Sequence, residues 1–329
     1  MTLCGLVALM GAWSATDSAQ ATDDTVPQSA PAAGAPPPWA FIVDPPGDDS
    51  APTDKTPLHV PGSDRTYTAV DLNDSFQVAD WHPVDHAPMP AVVAKGRRPA
   101  VFACGYCHLP NGAGRPENAS LAGLPYDYIL QQVAMFKSGA RHAAVPARDP
   151  AKYMAIIAKA VRAAEVRAAA RYFSQLPPQA RVSVVETDWV PRTHVADWSL
   201  AVDATSPKEP IGPRIIEVPQ SVEQFERRDS RVEYTAYVPV GSIQAGESLV
   251  RTGGANLTLP CTACHGEDLK GSGTIPRIVG RSTGYLVRQL YEFQAGFRSG
   301  AAVAPMTLVA KNLSLNDMIA IAAYLATQR

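Results

Sequence analysis

The chain has 329 residues, with 29 basic and 31 acidic side chains and a formal net charge of −2. That balance excludes a protein built on a strongly basic nucleic-acid-binding surface, and the length suggests two domains. Five cysteines are present, four of them in two copies of one five-residue pattern.

From the N-terminus, Leu3 to Trp13 is an apolar run too short to span a bilayer, followed by Ala19-Gln20-Ala21. This reads as an export signal over residues 1–21 with cleavage after Ala21. Cys4 raises a lipid anchor, disfavoured because Leu3 stands where a small residue is expected before a lipidated cysteine. No other stretch is long and apolar enough for a transmembrane segment, so the expectation is a periplasmic chain. Residues 22–66 are rich in Pro, Ala, Asp and Thr, including Pro36-Pro37-Pro38 and Pro45-Pro46. They read as a flexible acidic arm, because such a composition buries too little apolar surface to offset its ordering entropy. Tyr67, Phe76 and Trp81 then bring aromatics that suit packing against the domain that follows, taken as residues 67–178.

The repeated pattern is Cys104-Gly105-Tyr106-Cys107-His108 and Cys261-Thr262-Ala263-Cys264-His265. Cys-x-x-Cys-His is the attachment signature of c-type haem. The two thiols add across the vinyl groups of one porphyrin, and the adjacent histidine supplies an axial nitrogen to the iron. A zinc or redox Cys-x-x-Cys is the competing reading, and the second copy argues against it. The expectation is two covalent haem c groups, held by Cys104, Cys107, Cys261 and Cys264, with His108 and His265 on the irons.

Each half repeats one order of parts. In the first, Ile129, Val133 and Phe136 make a helical stripe, and Val166, Ala169, Ala170 and Phe173 a terminal one. In the second, the stripes are Leu286, Leu290, Phe293 and Phe297, then Ile319, Ala322, Ala323 and Leu325, with Ser314 or Asn316 available as cap. Tyr128 to Gln132 echoes Tyr285 to Gln289, and Arg171-Tyr172-Phe173 falls opposite Ala323-Tyr324-Leu325. The fold class expected is all-α, two tandem haem domains joined by a linker. That linker, residues 179–240, has weak periodicity, and Val182–Thr187 and Arg214–Val218 are candidate short strands within it. The second domain is residues 241–329.

A carrier haem needs its sixth position closed, commonly by a methionine thioether that raises the potential. Met306, 41 residues beyond His265, follows Pro305, which favours an extended backbone before it. Register alignment of the terminal helices puts Met154 opposite Met306, 46 residues beyond His108. No proline precedes Met154, and His142 is a possible replacement. Met135 and Met318 read as packing. The histidine ring N–H groups are expected to donate to loop carbonyls, with Pro276 the candidate in the second half and Pro110 or Pro116 in the first. Tyr126, Tyr285, Arg141, Arg281 and Arg298 are candidate partners for haem propionates.

Both halves resemble class I cytochrome c domains, and the tandem resembles the dihaem cytochrome c4 type. Gly253-Gly254, the Pro276-to-Ser282 loop, Tyr285 to Leu290, Pro305-Met306 and Ala322 to Leu325 carry the likeness, which covers about residues 91–178 and 241–329. The resemblance implies electron transfer between periplasmic or membrane redox partner proteins. The arm and the long linker depart from the compact family. The first reading is therefore an electron relay, free or as the cytochrome subunit of a dehydrogenase or oxidase, and not an enzyme. The alternative is a dihaem enzyme, peroxidase-like or thiosulfate-oxidising, with an open or exchangeable site at the first haem. With Cys4 removed, no spare thiol remains for a cysteine-ligated iron. Charge is unevenly spread: residues 22–90 hold 11 acids and 2 bases, residues 91–178 hold 12 bases and 4 acids. The basic domain suits an acidic partner or the chain's own acidic arm, and no nucleic-acid motif is present.

Overall fold

The computed structural model describes residues 34–45 and 51–329. The signal segment 1–21, Cys4 and residues 22–33 and 46–50 of the arm lie outside the described residues. Two helical halves are each built round one short motif helix, Cys104–His108 and Thr262–His265. The residue after each histidine takes the same left-handed turn, Leu109 at φ 64 and ψ 156, Gly266 at φ 83 and ψ 160. Each turn is closed six residues beyond the histidine, by Gly114 N–H on the His108 carbonyl and Gly271 N–H on that of His265.

The striped segments fold as helices. Tyr126–Ser138 ends on Gly139, whose φ of 82 is the left-handed closure that suits glycine. Its counterpart Thr283–Gln294 starts under a Ser282 side-chain cap. The terminal helices are Ala163–Gln175 and Leu315–Thr327, the latter opened by a Ser314–Asp317 capping box. Leu315–Thr327 is buried from Met318 through Ala326, because it lies against the kinked helix Ser242–Asn256 as well as Thr283–Gln294. In the first half the corresponding N-terminal helix shrinks to one turn, Ala91–Ala94. Residues 58–81 supply a small core of Val60, Leu72, Ala79 and Trp81 in the segment before that turn.

Residues 179–240 correct the all-α expectation. Val182–Glu186 runs parallel to Tyr234–Val238, which pairs on its other side with antiparallel Ile216–Pro219. Thr193–Ala196 and Ser199–Val202 form a hairpin, and Val190, Leu200, Ile211, Ile216 and Val218 give this region its own core. Strand wins over loop here because alternation buries Tyr234, Ala236 and Val238 on one face and sets half-buried Thr235 and Tyr237 on the other, where Tyr237 packs on the region's own core. The region docks on the first half. Trp81 Nε1 donates to the Arg227 carbonyl at 2.7 Å, buried His82 meets buried Asp229 at 2.9 Å, and Arg231 grips both oxygens of Asp85.

The arm departs from its reading too. Ala40 and Phe41 are buried in the core of the second half, Phe41 edge-on to Tyr291 at 5.3 Å, and the Tyr291 hydroxyl donates to the Gly34 carbonyl. Composition alone averaged these two apolar residues with their proline-rich surroundings.

Two measurements check this packing. A Cβ on Gly246 would stand 2.0 Å from the Ala320 carbonyl oxygen, so Gly246→Ala forces Ser242–Asn256 and Leu315–Thr327 apart and is expected to cost about 2 kcal/mol, read as a lower urea midpoint. The Arg231 hydrogen bonds hold the Asp85 carboxyl below its ordinary pKa, so its contribution is complete above the ordinary carboxylate range and is lost as pH falls through the depressed folded value. Asp85→Asn is expected to cost about 1 kcal/mol at pH 7 after solvent screening, with wild type and variant converging only once pH falls below the depressed folded value.

Candidate haem sites and the interface between them

Burial sets the chemistry of the motif residues. It pushes the Cys104 thiol up to about 12 and those of Cys107 and Cys261 up to about 11. They are neutral thiols at pH 7, the state in which a thiol adds across an alkene without leaving a buried charge. Burial also pulls His108 and His265 below the usual histidine pKa, against the opposing pull of a backbone hydrogen bond. A neutral imidazole is the metal-binding form. His108 Nδ1 donates to the Ala119 carbonyl at 2.8 Å and His265 Nδ1 to the Pro276 carbonyl at 2.7 Å, each eleven residues on. With Nδ1 so engaged, Nε2 carries the lone pair, and the ring cannot turn.

Pro276 is the residue expected; in the first half Ala119 replaces the expected Pro110 and Pro116. Those two carbonyls are taken, Pro110 by the Tyr172 hydroxyl at 2.7 Å and Pro116 by the Arg288 guanidinium. Sequence register held the answer, since Ala119 stands to His108 as Pro276 stands to His265.

The first motif opens on a cavity of about 1400 Å³ including its mouth. Cys104, Cys107 and His108 line it, and so do Met154, in the helix Asp149–Ala160, and His142. The His142 Nδ1 donates to the Gly139 carbonyl at 3.1 Å, and its exposed ring stands edge-on to Phe297. Met306 lies in the first turn of Ala304–Ala310, packed against the core of the second half together with Cys261. Pro305 opens that helix, so the backbone there is helical and not extended: proline fits the first turn, where its missing N–H is not needed. Met135 and Met318 are buried in the core, as packing requires.

The polar end of the first cavity faces the second half, which contributes Tyr285, Arg288, Gln289 and Glu292 to its wall. Two equivalent pairs meet here. The Gln132 side-chain oxygen accepts from Arg141 at 2.8 Å and from Arg298 at 2.7 Å, while that of Gln289 accepts from Arg141 at 2.7 Å and from Arg298 at 3.0 Å. Arg141 and Arg298 also form a backbone bridge, with His142 N–H on the Phe297 carbonyl and Ser299 N–H on that of Ala140. Burial raises the pKa of the Tyr285 hydroxyl, but the guanidinium groups of Arg141, Arg281 and Arg298 outweigh it and hold the group below its ordinary range. Arg281 instead donates to the Ser120 carbonyl, and Tyr126 packs on the first core. Sequence reasoning missed Arg148, Arg288, Gln132 and Gln289. The echo of Gln132 in Gln289 was the signal available.

These residues fit a haem. The donor set is two thiols, an imidazole and a thioether round one apolar-walled cavity. Arg141, Arg148 and Arg288 line its polar end, and the buried Arg148 Nε lacks a partner among the described residues. Such a cationic end, with an orphaned donor, suits the carboxylates of a porphyrin.

No protein-family profile matches the chain. It is 28% identical over 235 residues to a thiosulfate dehydrogenase electron acceptor of Thiomonas intermedia, spanning 70% of this chain and 80% of that protein. It is 37% identical over 89 residues to cytochrome c-554(548) of Halomonas halodenitrificans, 27% of this chain and 98% of that one. Over 70 residues it is 37% identical to cytochrome c4 of Pseudomonas aeruginosa, 21% of this chain and 33% of that one.

The glutamine clasp generates a prediction. Gln289→Ala removes the shared acceptor from two buried guanidinium groups and is expected to cost about 1–2 kcal/mol. Gln289→Glu, which restores an acceptor and adds a charge, is expected to lose less. Urea midpoints of the three proteins at pH 7 test the ordering.

Proposed function

The chain belongs to the c-type cytochromes and is a dihaem, cytochrome c4-like electron-transfer protein; from that premise we propose that both irons are closed by His/Met pairs, His108 with Met154 and His265 with Met306. Bound haem supplies one-electron chemistry between ferric and ferrous iron. The protein's part is to fix the imidazoles through the Ala119 and Pro276 carbonyls, to offer a methionine thioether, and to exclude water with apolar side chains. Closed sixth positions keep reorganisation small and leave no place for a substrate, which favours a relay over a peroxidase-like enzyme. Among the described residues there is no cysteine beyond the four in the motifs, which argues against a thiolate-ligated iron.

The single observation that carries this reading is that Cys104, Cys107, His108 and Met154 line one cavity, while a second set in the same order repeats the histidine hydrogen bond. We place the protein in the periplasm, where haem c attachment occurs; no helix among the described residues is long and apolar enough to cross a membrane. The partner proposed is a periplasmic dehydrogenase that delivers electrons, since one relative is named an electron acceptor of thiosulfate dehydrogenase. Exposed Lys159, Arg162 and Arg167 on the first half would steer a partner with an acidic face.

The ferric protein is expected to show the long-wavelength methionine–iron band at the intensity of two His/Met haems. Met154→Ala and Met306→Ala are each expected to remove half of it and to let the ferrous protein bind one carbon monoxide. A band from one haem in the wild type, lost entirely in Met306→Ala, would move the reading to catalysis at an open first haem.

A further inference from the structure

The two methionine segments are held differently. Met306 directly follows Pro305, whose ring fixes the first turn of Ala304–Ala310 from within. Met154 lies in the middle of the helix Asp149–Ala160, one turn beyond Pro150, so the proline that opens its helix does not adjoin the methionine. A second element reaches this helix from the strand-rich region.

The hairpin Thr193–Ala196/Ser199–Val202 pairs Ala196 with Ser199, leaving Asp197 and Trp198 as a two-residue turn. Both have positive φ, 47° and 61°. A turn of this type prefers Asn-Gly or Asp-Gly, and a bulky residue at positive φ is a real outlier. A strained residue that persists is over-determined by its surroundings, and the contacts here are specific. The Trp198 N–H donates to Asp44 Oδ1 at 2.8 Å, and its ring lies 6.2 Å from the ring of Tyr153, the neighbour of Met154. Tyr153 continues to Phe102 at 5.6 Å, and both line the first haem cavity. Asp197 takes the other wall. Its carboxylate meets Arg115 at 2.9 Å and Arg228 at 3.7 Å. The Arg228 guanidinium lies 4.0 Å over the ring of Tyr106, inside the first Cys-x-x-Cys-His, and donates to the Tyr106 hydroxyl at 3.0 Å. One strained turn therefore bears on the histidine-bearing and the methionine-bearing sides of the same cleft. The hairpin is rooted in its own core through buried Leu200, so it can hold the cleft without moving with it.

We propose that the Asp197-Trp198 turn is a positioning device that keeps the Tyr153–Met154 segment against the first haem, the office that Pro305 fills locally for Met306. The proposal rests on the His/Met reading of the first haem. Trp198 touches no reacting atom; it acts through Tyr153. Its consequence is that the first haem's sixth position is controlled by this hairpin turn, while the second's is restrained by Pro305 within its own helix.

The test uses the full-length holoprotein. Trp198→Gly removes the ring while giving the turn the residue that its φ favours, so folding is preserved and a change in thermal midpoint is not the readout. The ferric methionine band is expected to fall from two-haem to one-haem intensity, with carbon monoxide binding one ferrous haem per chain. Trp198→Phe, which keeps a ring against Tyr153, is expected to restore most of the band and to suppress carbon monoxide binding. A Trp198→Gly protein with a full two-haem band and no carbon monoxide binding overturns the latch while leaving the His/Met reading intact. A wild-type band of one haem overturns both.

Discussion

Two glutamine oxygens, each taking hydrogen bonds from both Arg141 and Arg298, are the constraint on which the arrangement of the halves depends. Gln132 and Gln289 are equivalent residues on equivalent helices, and Arg141 and Arg298 stand equally far beyond them in the turns that follow, so the clasp is its own image under exchange of the halves. Isologous contact is how symmetric dimers associate, and a tandem duplication inherits that geometry within one chain. Neutral acceptors matter here. Two guanidinium groups brought together across a backbone bridge repel each other, and the burial that strengthens hydrogen bonds also strengthens that repulsion. The glutamines satisfy four donors without adding charge, which leaves the cationic end free to face haem carboxylates. The clasp thus joins the halves and fixes the polar rim of the first cavity at once.

Symmetry ends a few residues later. The second half closes on itself through Leu315–Thr327 against Ser242–Asn256, with backbone approach permitted by Gly246. The first half has only Ala91–Ala94 in that role. Outside elements bear on it instead: the Trp81 and His82 contacts with the strand-rich region, the Asp85–Arg231 pair, and the hairpin tip. A domain whose closure is supplied from outside can be altered from outside; the second half also takes Ala40, Phe41, Ala236 and Val238 into its core, but the helix pairing that closes it is its own.

Much of this was legible in the residues. The motif, the four helices with apolar stripes, the Ser314 cap, the Pro276 carbonyl and the strand at Val182 all follow from local pattern, because each depends on neighbours within a dozen positions. Three features were not. Leu109 repeats the backbone of Gly266 at a φ that glycine would announce and leucine conceals. Ala40 and Phe41 sit in a proline-rich tract whose average composition masks two core residues. The strand-rich region reads as linker because its three-stranded sheet joins residues some fifty positions apart, a pairing no window of periodicity can register.

The same contrast separates the two methionine segments. Pro305 acts through a covalent ring and so is visible in sequence beside Met306. Trp198 lies 44 residues from Met154, and its contact with Tyr153 exists only after the hairpin has folded and docked. Local restraint is inherited with the motif, while restraint from a distance requires a second folded core, and the region from Val182 to Val238 supplies one.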